Sequence, residues 1–338
     1  MKVAVFSTKS YDRKFLSDAN AIANHELIFY DAPLEPNTAP LALGCPAVCL
    51  FVNDNANART LETLAAGGTR LIALRATGYN NVDLEAATQL GINVVRVVSY
   101  SPYSVAEHAV GLVLMLNRKL YKAYNRVRDD NFALDGLMGF DLHGATVGVV
   151  GTGKIGQCFA QIMKGFGCNL LGYDVYHNPV CLEMGMEYAE LASVLSASDI
   201  ISLHCPLLPS TYHLINAESI QHLKPGAMLI NTSRGGLVDT SAVIEGIKSG
   251  QIGYFGTDVY EEEASLFFED LSDTVIQDDV FQLLQSFSNV VITAHQAFFT
   301  RNAIATICET TINSITEFEQ GHPLTNEVLP PEKVPAQA

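Results

Sequence analysis

At 338 residues, 48% of them apolar, the chain is long enough for two ordinary domains and can fill more than one core. Its formal net charge of −16 repels phosphate backbones and argues against nucleic acid as a partner. No stretch of about 18 residues is both apolar and uncharged, so no membrane span is expected.

The opening, MKVAVFSTKS, carries one lysine and then a strand-like run. It lacks the longer apolar stretch and small-residue cleavage site of a signal peptide, and a cytoplasmic protein is expected. The seven cysteines (Cys45, Cys49, Cys158, Cys168, Cys181, Cys205 and Cys308) include no CxxC and no cluster with histidine. Reduced, mostly buried thiols and no metal site are expected.

In chain order, short runs rich in β-branched residues predict strands at Val3–Phe6, Ala47–Val52, Leu71–Leu74 and Asn93–Val98. Helices are predicted between them at Thr60–Ala66 and Leu84–Leu90, stopped by Gly67-Gly68 and Gly91. One long helix is predicted from Val105 to about Arg128. Its VAEHAVGLVLML half is apolar nearly all round and suits a buried junction. A second alternating series follows. Strands are predicted at Thr146–Val150, Asn169–Tyr173, Asp199–His204, Met228–Thr232, Gly253–Thr257 and Val290–Thr293. The helices are Ile155–Phe166, Leu191–Ser196, Ala217–His222 and Ser241–Ser249, with a final one at Asn302–Gln320. Strands alternating with helices specify an α/β fold with parallel sheets. The tail 331–338 reads as disordered.

The strongest motif is Gly151-Thr152-Gly153-Lys154-Ile155-Gly156, which follows the strand TVGVV and opens an apolar helix. That context is what a dinucleotide-binding turn requires, with the helix N-terminus offered to a pyrophosphate. Asp174 ends the next strand, where an acid binds ribose hydroxyls and repels a 2′-phosphate, so NAD is expected rather than NADP. Later strands end in His204-Cys205-Pro206, Thr232-Ser233-Arg234, Asp258 and His295. Ligands sit beyond the carboxyl ends of strands in open parallel sheets, so these residues are candidates to line the cofactor.

Hydride transfer to a 2-keto acid needs a group for the carboxylate, one to polarise the carbonyl and one to supply a proton. Arg234, between INTS and Gly235-Gly236, offers a planar cation that can hold carboxylate and carbonyl oxygens together. His295, after VVIT, is a candidate acid/base. One of Glu261, Glu262 and Glu263 could hydrogen-bond it and stabilise the imidazolium, and spacing does not choose among them.

Taken together, VGVVGTGKIG, HCPL, INTSRGGLVD, DVYEEE and TAHQAF resemble the D-2-hydroxyacid dehydrogenases. FVNDNANA, LRATGYNNVD, FFED and IQDDVF are similar to the bacterial fermentative D-lactate dehydrogenases within that family. The resemblance implies two Rossmann-like α/β domains with a cleft between them. The substrate domain would be discontinuous, residues 1–100 with 299–330, and the NAD-binding domain, 101–298, inserted. It implies Arg234, Glu263 and His295 as the catalytic set, with Asp258 beside the nicotinamide. Gly78 and Tyr79 would offer backbone N–H groups to the substrate carboxylate, and Tyr100 and Phe298 would line the pocket. It further implies a homodimer or homotetramer reducing pyruvate to D-lactate. Arg75 is the one basic candidate for a second substrate carboxylate in the early strand-end turns. The alternatives are a broader D-2-hydroxyacid dehydrogenase acting on longer 2-keto acids and an NAD(H)-sensing regulator on the same fold.

Overall fold

The structure is a computed structural model that describes residues 1–263 and 266–330. The tail 331–338, expected to be disordered, lies outside the described residues. The chain divides into two compact units, Met1–Ser101 with the segment from Thr300, and Pro102–Phe299.

The first unit holds β1 (Lys2–Val5), α1 (Ser10–Ala19), β2 (Glu26–Phe29), β3 (Ala47–Leu50), α2 (Ala58–Ala66), β4 (Leu71–Leu74), α3 (Leu84–Gln89) and β5 (Asn93–Val95). Its all-parallel sheet has the order β2-β1-β3-β4-β5. Strand alternation sends Ala4, Phe6, Val48, Leu50, Ile72 and Leu74 into one core with Leu61 and Leu64 of α2. Asn57 caps α2 by accepting from the Thr60 N–H, and Asp83 does the same for α3 at Ala86. The C-terminal helix, α12 (Arg301–Glu319), returns to pack against α1 and β4.

The second unit opens with α4 (Pro102–Arg118) and α5 (Leu120–Arg128). It continues through β6 (Thr146–Val150), α6 (Lys154–Gly165), β7 (Asn169–Tyr173), α7 (Pro179–Glu183), β8 (Glu187–Tyr188) and α8 (Leu191–Ala197). β9 (Ile200–Leu203), α9 (Ala217–Ile220), β10 (Ala227–Asn231), α10 (Thr240–Ser249), β11 (Ile252–Thr257), α11 (Asp279–Ser286) and β12 (Val290–Ile292) complete it. The sheet order is β12-β11-β10-β9-β6-β7-β8, parallel throughout. Its strand order reverses between β6 and β9, the position where a doubly wound sheet opens its ligand crevice. Val147, Val149, Ile200, Met228 and Ile230 face one core with α4 and α6, while Val150, Ile201, Leu203 and Leu229 face the other.

The structure differs from the sequence expectation in two respects. The long helix is broken: Lys119 adopts φ 48°, ψ 40°, a left-handed conformation that separates α4 from α5. α1, β2, α7, β8 and α11 also form where no element was predicted. α1 (SYDRKFLSDA) buries only Asp12 and Leu16, so its sequence carries little helical stripe.

Candidate active site

The glycine motif lies at the reversal point of the second sheet. Gly151 follows β6 at φ 93°, and a Cβ there would stand 2.4 Å from the backbone nitrogen of Cys205 beyond β9. A Cβ on Gly156 would reach the Gly151 carbonyl oxygen at 2.0 Å. These two glycines let turn, helix and neighbouring strand end pack together. Gly153 differs: nothing lies within 4 Å of its Cβ position, and it and Lys154 are exposed at the start of α6. It marks an open cradle over the helix N-terminus. Ile155 is half-buried in that first turn, and Thr152 is buried behind it.

Asp174 follows β7 and is tied to the glycine turn. Its Oδ2 accepts from the Thr152 N–H at 2.6 Å and from the Thr152 hydroxyl at 3.2 Å. Tyr188 donates to the same Thr152 hydroxyl at 2.8 Å, and Asn178 donates to the Thr152 carbonyl, also at 2.8 Å. The carboxylate is therefore fixed by its own loop before any ligand arrives.

His204 turns its ring inward, 4.9 Å from the Phe159 ring, with Nε2 2.9 Å from the Ser202 hydroxyl. Burial alone pushes its pKa down to about 3, so it is neutral. Cys205 is buried and Pro206 exposed beyond it. Among the described residues, His204 Nδ1 and Thr232 Oγ1 are the buried side-chain polar atoms without a hydrogen-bond partner. An orphaned hydroxyl at the end of β10 is the kind of group a bound polar ligand satisfies.

Arg234 is half-buried in extended backbone after β10, with Nη1 on the Ser233 carbonyl at 2.7 Å. Ser233 donates to the Cys205 carbonyl at 2.7 Å, which joins two strand ends. The following glycine makes room for backbone. A Cβ on Gly235 would lie 2.2 Å from the Tyr260 carbonyl carbon and oxygen, so Gly235 lets the Tyr260–Glu261 backbone pass.

That passage leads to the three glutamates, which have three different fates. Glu261 accepts from the Thr240 N–H at 2.9 Å and lies 2.7 Å from His213 Nε2. Glu262 is exposed. Glu263 Oε1 lies 2.8 Å from His295 Nδ1, while its Oε2 accepts from the Tyr260 N–H at 3.0 Å.

His295 follows β12 in a left-handed conformation, φ 50°, uncommon for a residue with a side chain. Asp258, at the end of β11, holds that turn. Its carbonyl accepts from the His295 N–H at 2.7 Å. Its carboxylate accepts from the Thr293 hydroxyl at 2.7 Å and from the N–H groups of Gln296 and Ala297, both at 2.8 Å. Burial pushes the Asp258 carboxyl upward, against these bonds. His108 of α4, which the sequence reading did not single out, sits 2.9 Å from the Thr293 hydroxyl and 3.5 Å from Asp258. Phe298 stands edge-on to His295 at 6.4 Å, and Phe268 lies 5.7 Å from it.

In the first unit, the Thr77-Gly78-Tyr79 turn after β4 and Tyr100, five residues beyond β5, are half-buried. Arg75 is not available to a ligand. It is buried, pairs with Asp12 at 3.2 Å, donates to the carbonyls of Phe6 and Ser7 at 2.8 and 2.9 Å, and lies over the Phe51 ring.

Residues 110–297 match the D-isomer specific 2-hydroxyacid dehydrogenase, NAD binding domain. The chain belongs to the D-isomer specific 2-hydroxyacid dehydrogenase family. A 2-hydroxyacid dehydrogenase homolog of Haemophilus influenzae is 51% identical over 98% of this chain and 100% of its own. The D-lactate dehydrogenase of Escherichia coli K12 is 50% identical over 97% of this chain and 100% of its own. The solved pyruvate reductase of Chlamydomonas reinhardtii superposes with a TM-score of 0.93 at 46% identity, covering 96% and 98% of the two chains.

As a member of this family the protein is an oxidoreductase that takes NAD. The residues present fit such a cofactor: an open cradle at Gly153, a fixed carboxylate at Asp174 and an unsatisfied hydroxyl at Thr232. No helix among the described residues is long and apolar enough to cross a membrane, and no group of three or more His, Cys, Asp or Glu is placed to hold a metal. All seven cysteines are free and buried.

Proposed function

We propose that this enzyme is an NAD-dependent D-lactate dehydrogenase that reduces pyruvate. The observation that carries the reading is the Glu263–His295 pair on a turn clamped by Asp258, in the same unit as Arg234 and the glycine turn. The cofactor is assigned to Gly151, Gly153, Lys154, Ile155, Gly156, Asp174, His204, Cys205, Pro206, Thr232, Ser233, Arg234, Asp258 and His295. When bound, NADH supplies the reducing equivalent to the keto carbon.

The protein's own part is electrostatic and positional. Arg234 binds the substrate carboxylate and polarises the keto oxygen. The Gly78 and Tyr79 N–H groups hold the same carboxylate, and Tyr100 and Phe298 shape the apolar side. Glu263, on Nδ1, fixes the His295 ring, which leaves Nε2 to deliver the proton to the keto oxygen.

Two observations support pyruvate. Arg75, the basic candidate for a second carboxylate, is committed to Asp12 and two carbonyls. The Escherichia coli relative is described as a D-lactate dehydrogenase. The Haemophilus influenzae relative carries only the broader description, which supports a wider range of 2-keto acids as the second reading. Initial rates with pyruvate and a series of longer 2-keto acids separate the two: kcat/KM falling steeply with chain length supports pyruvate, and a flat series supports the broader range.

A cytoplasmic homodimer or homotetramer is the proposed setting. Leu120, Tyr124, Val127, Phe132, Leu134 and Met138 are all exposed on and after α5, an apolar surface of the kind that self-association covers.

A further inference from the structure

We infer that Arg96 is a positioning residue for the substrate carboxylate, orienting and polarising the peptide whose N–H belongs to Gly78. The inference rests on the proposed role of the Gly78 and Tyr79 amides and assigns the side chain that sets them.

Arg96 lies one residue beyond β5 and is half-buried. Its Nη1 donates to the Thr77 carbonyl oxygen at 2.9 Å. Its guanidinium carbon also stands 4.9 Å from the centre of the Tyr79 ring. One side chain thus grips both ends of the Thr77-Gly78-Tyr79 turn. The Thr77 carbonyl and the Gly78 N–H belong to one peptide plane, and the peptide is trans. In a trans peptide the two groups point in opposite directions. Holding the carbonyl on the guanidinium therefore presents the Gly78 N–H on the opposite side. A charged donor on the carbonyl also polarises the amide and makes its N–H a stronger donor to an anion.

The rest of the turn is held by other groups. The Ala76 carbonyl accepts from the Val97 N–H at 3.0 Å, and the Tyr79 carbonyl accepts from the Val82 N–H at 3.1 Å. Asn81 Nδ2 ties the segment to the carbonyls of Phe51 and Asp54 at 2.9 and 2.8 Å. The Arg96 backbone has its own anchor, since its N–H donates to the Asn326 carbonyl at 3.1 Å. The side chain can therefore be changed without removing the backbone's fixation. A guanidinium suits the double contact, because its plane stacks on an aromatic ring while its edge donates; an ammonium is a point charge without that plane.

The test compares Arg96→Gln and Arg96→Lys with wild type in three measurements. These are kcat and KM for pyruvate, the Kd of NADH from its fluorescence, and the Kd of oxamate, a 2-oxo carboxylate analogue, in the NADH complex. Arg96→Gln is expected to raise the pyruvate KM and the oxamate Kd about tenfold, the scale of one weakened charge-assisted contact, with kcat changed less and NADH binding unchanged. Arg96→Lys is expected to recover part of that loss. Wild-type pyruvate KM and oxamate Kd in Arg96→Gln would overturn the inference. So would equal loss of NADH affinity in both variants, which would make Arg96 a residue of the fold alone. An Arg234→Gln protein that loses oxamate while Arg96→Gln keeps it would sink the role of Arg96 and leave the enzyme reading standing. Absence of turnover of any 2-keto acid by wild type would remove that reading itself.

Discussion

Glu263 and His295 stand 2.8 Å apart, carboxylate oxygen to Nδ1, although 32 residues separate them in the chain. The other Glu263 oxygen is held by the Tyr260 N–H, so the acid cannot swing away without losing a backbone bond. This pair should govern how fast pyruvate is reduced. Replacing Glu263 by Gln removes the carboxylate that orients the His295 ring, so kcat for pyruvate should fall by about 10- to 100-fold. Glu261→Gln should leave kcat near wild type, because Glu261 is engaged by Thr240 and His213 instead. Initial rates for the two variants, measured side by side, check the assignment.

Two glycines of one motif should fail differently. Gly153→Ala puts its methyl in open space, so folding should be unaffected while NADH binding weakens by about tenfold or more, as a methyl enters the cradle. Gly156→Ala puts a methyl 2.0 Å from the Gly151 carbonyl oxygen, so the turn itself must shift and both stability and NADH binding should suffer. Thermal unfolding with and without NADH separates the two effects.

Arg75 should matter to stability rather than to substrate choice. Arg75→Met leaves Asp12 as a buried, uncompensated charge and frees the Phe6 and Ser7 carbonyls. A loss of about 3–5 kcal/mol is expected in denaturant unfolding, the usual cost of breaking a buried ion pair. The ratio of kcat/KM values for pyruvate and a 2-keto dicarboxylate should stay as in wild type.

His204 gives the protein an acid-labile element. Its pKa is near 3 in the fold, against an ordinary histidine value of 6.5 in the unfolded chain. Above 6.5 the ring is neutral in both states and costs nothing. As pH falls from 6.5 toward 3, the unfolded chain takes up a proton that the fold refuses, so stability declines by up to about 1.4 kcal/mol per pH unit. His204→Gln should flatten this part of the stability curve, and denaturant titrations across that range would measure the difference.

Much of this site was legible because parallel sheets gather chemistry at their strand ends. The position of Gly151, Asp174, Arg234, Asp258 and His295 follows from reading where each apolar run stops. What was not legible depends on partners distant in sequence. Arg75 and Arg96 both follow strands of the first unit, yet Arg75 is buried by Asp12 and Arg96 turns onto Thr77 and Tyr79. No local pattern separates them. The same holds for His108, whose partner Thr293 is 185 residues away. The break at Lys119 was also hidden, since neither glycine nor proline marks it and the left-handed residue is a lysine.

The central claim is tested most directly by following NADH oxidation in the presence of pyruvate and determining the hand of the lactate formed. Rapid, NADH-specific turnover to D-lactate, lost in Arg234→Lys, is the expected result. Formation of L-lactate, or tight NADH binding without turnover of pyruvate or any longer 2-keto acid, would contradict it.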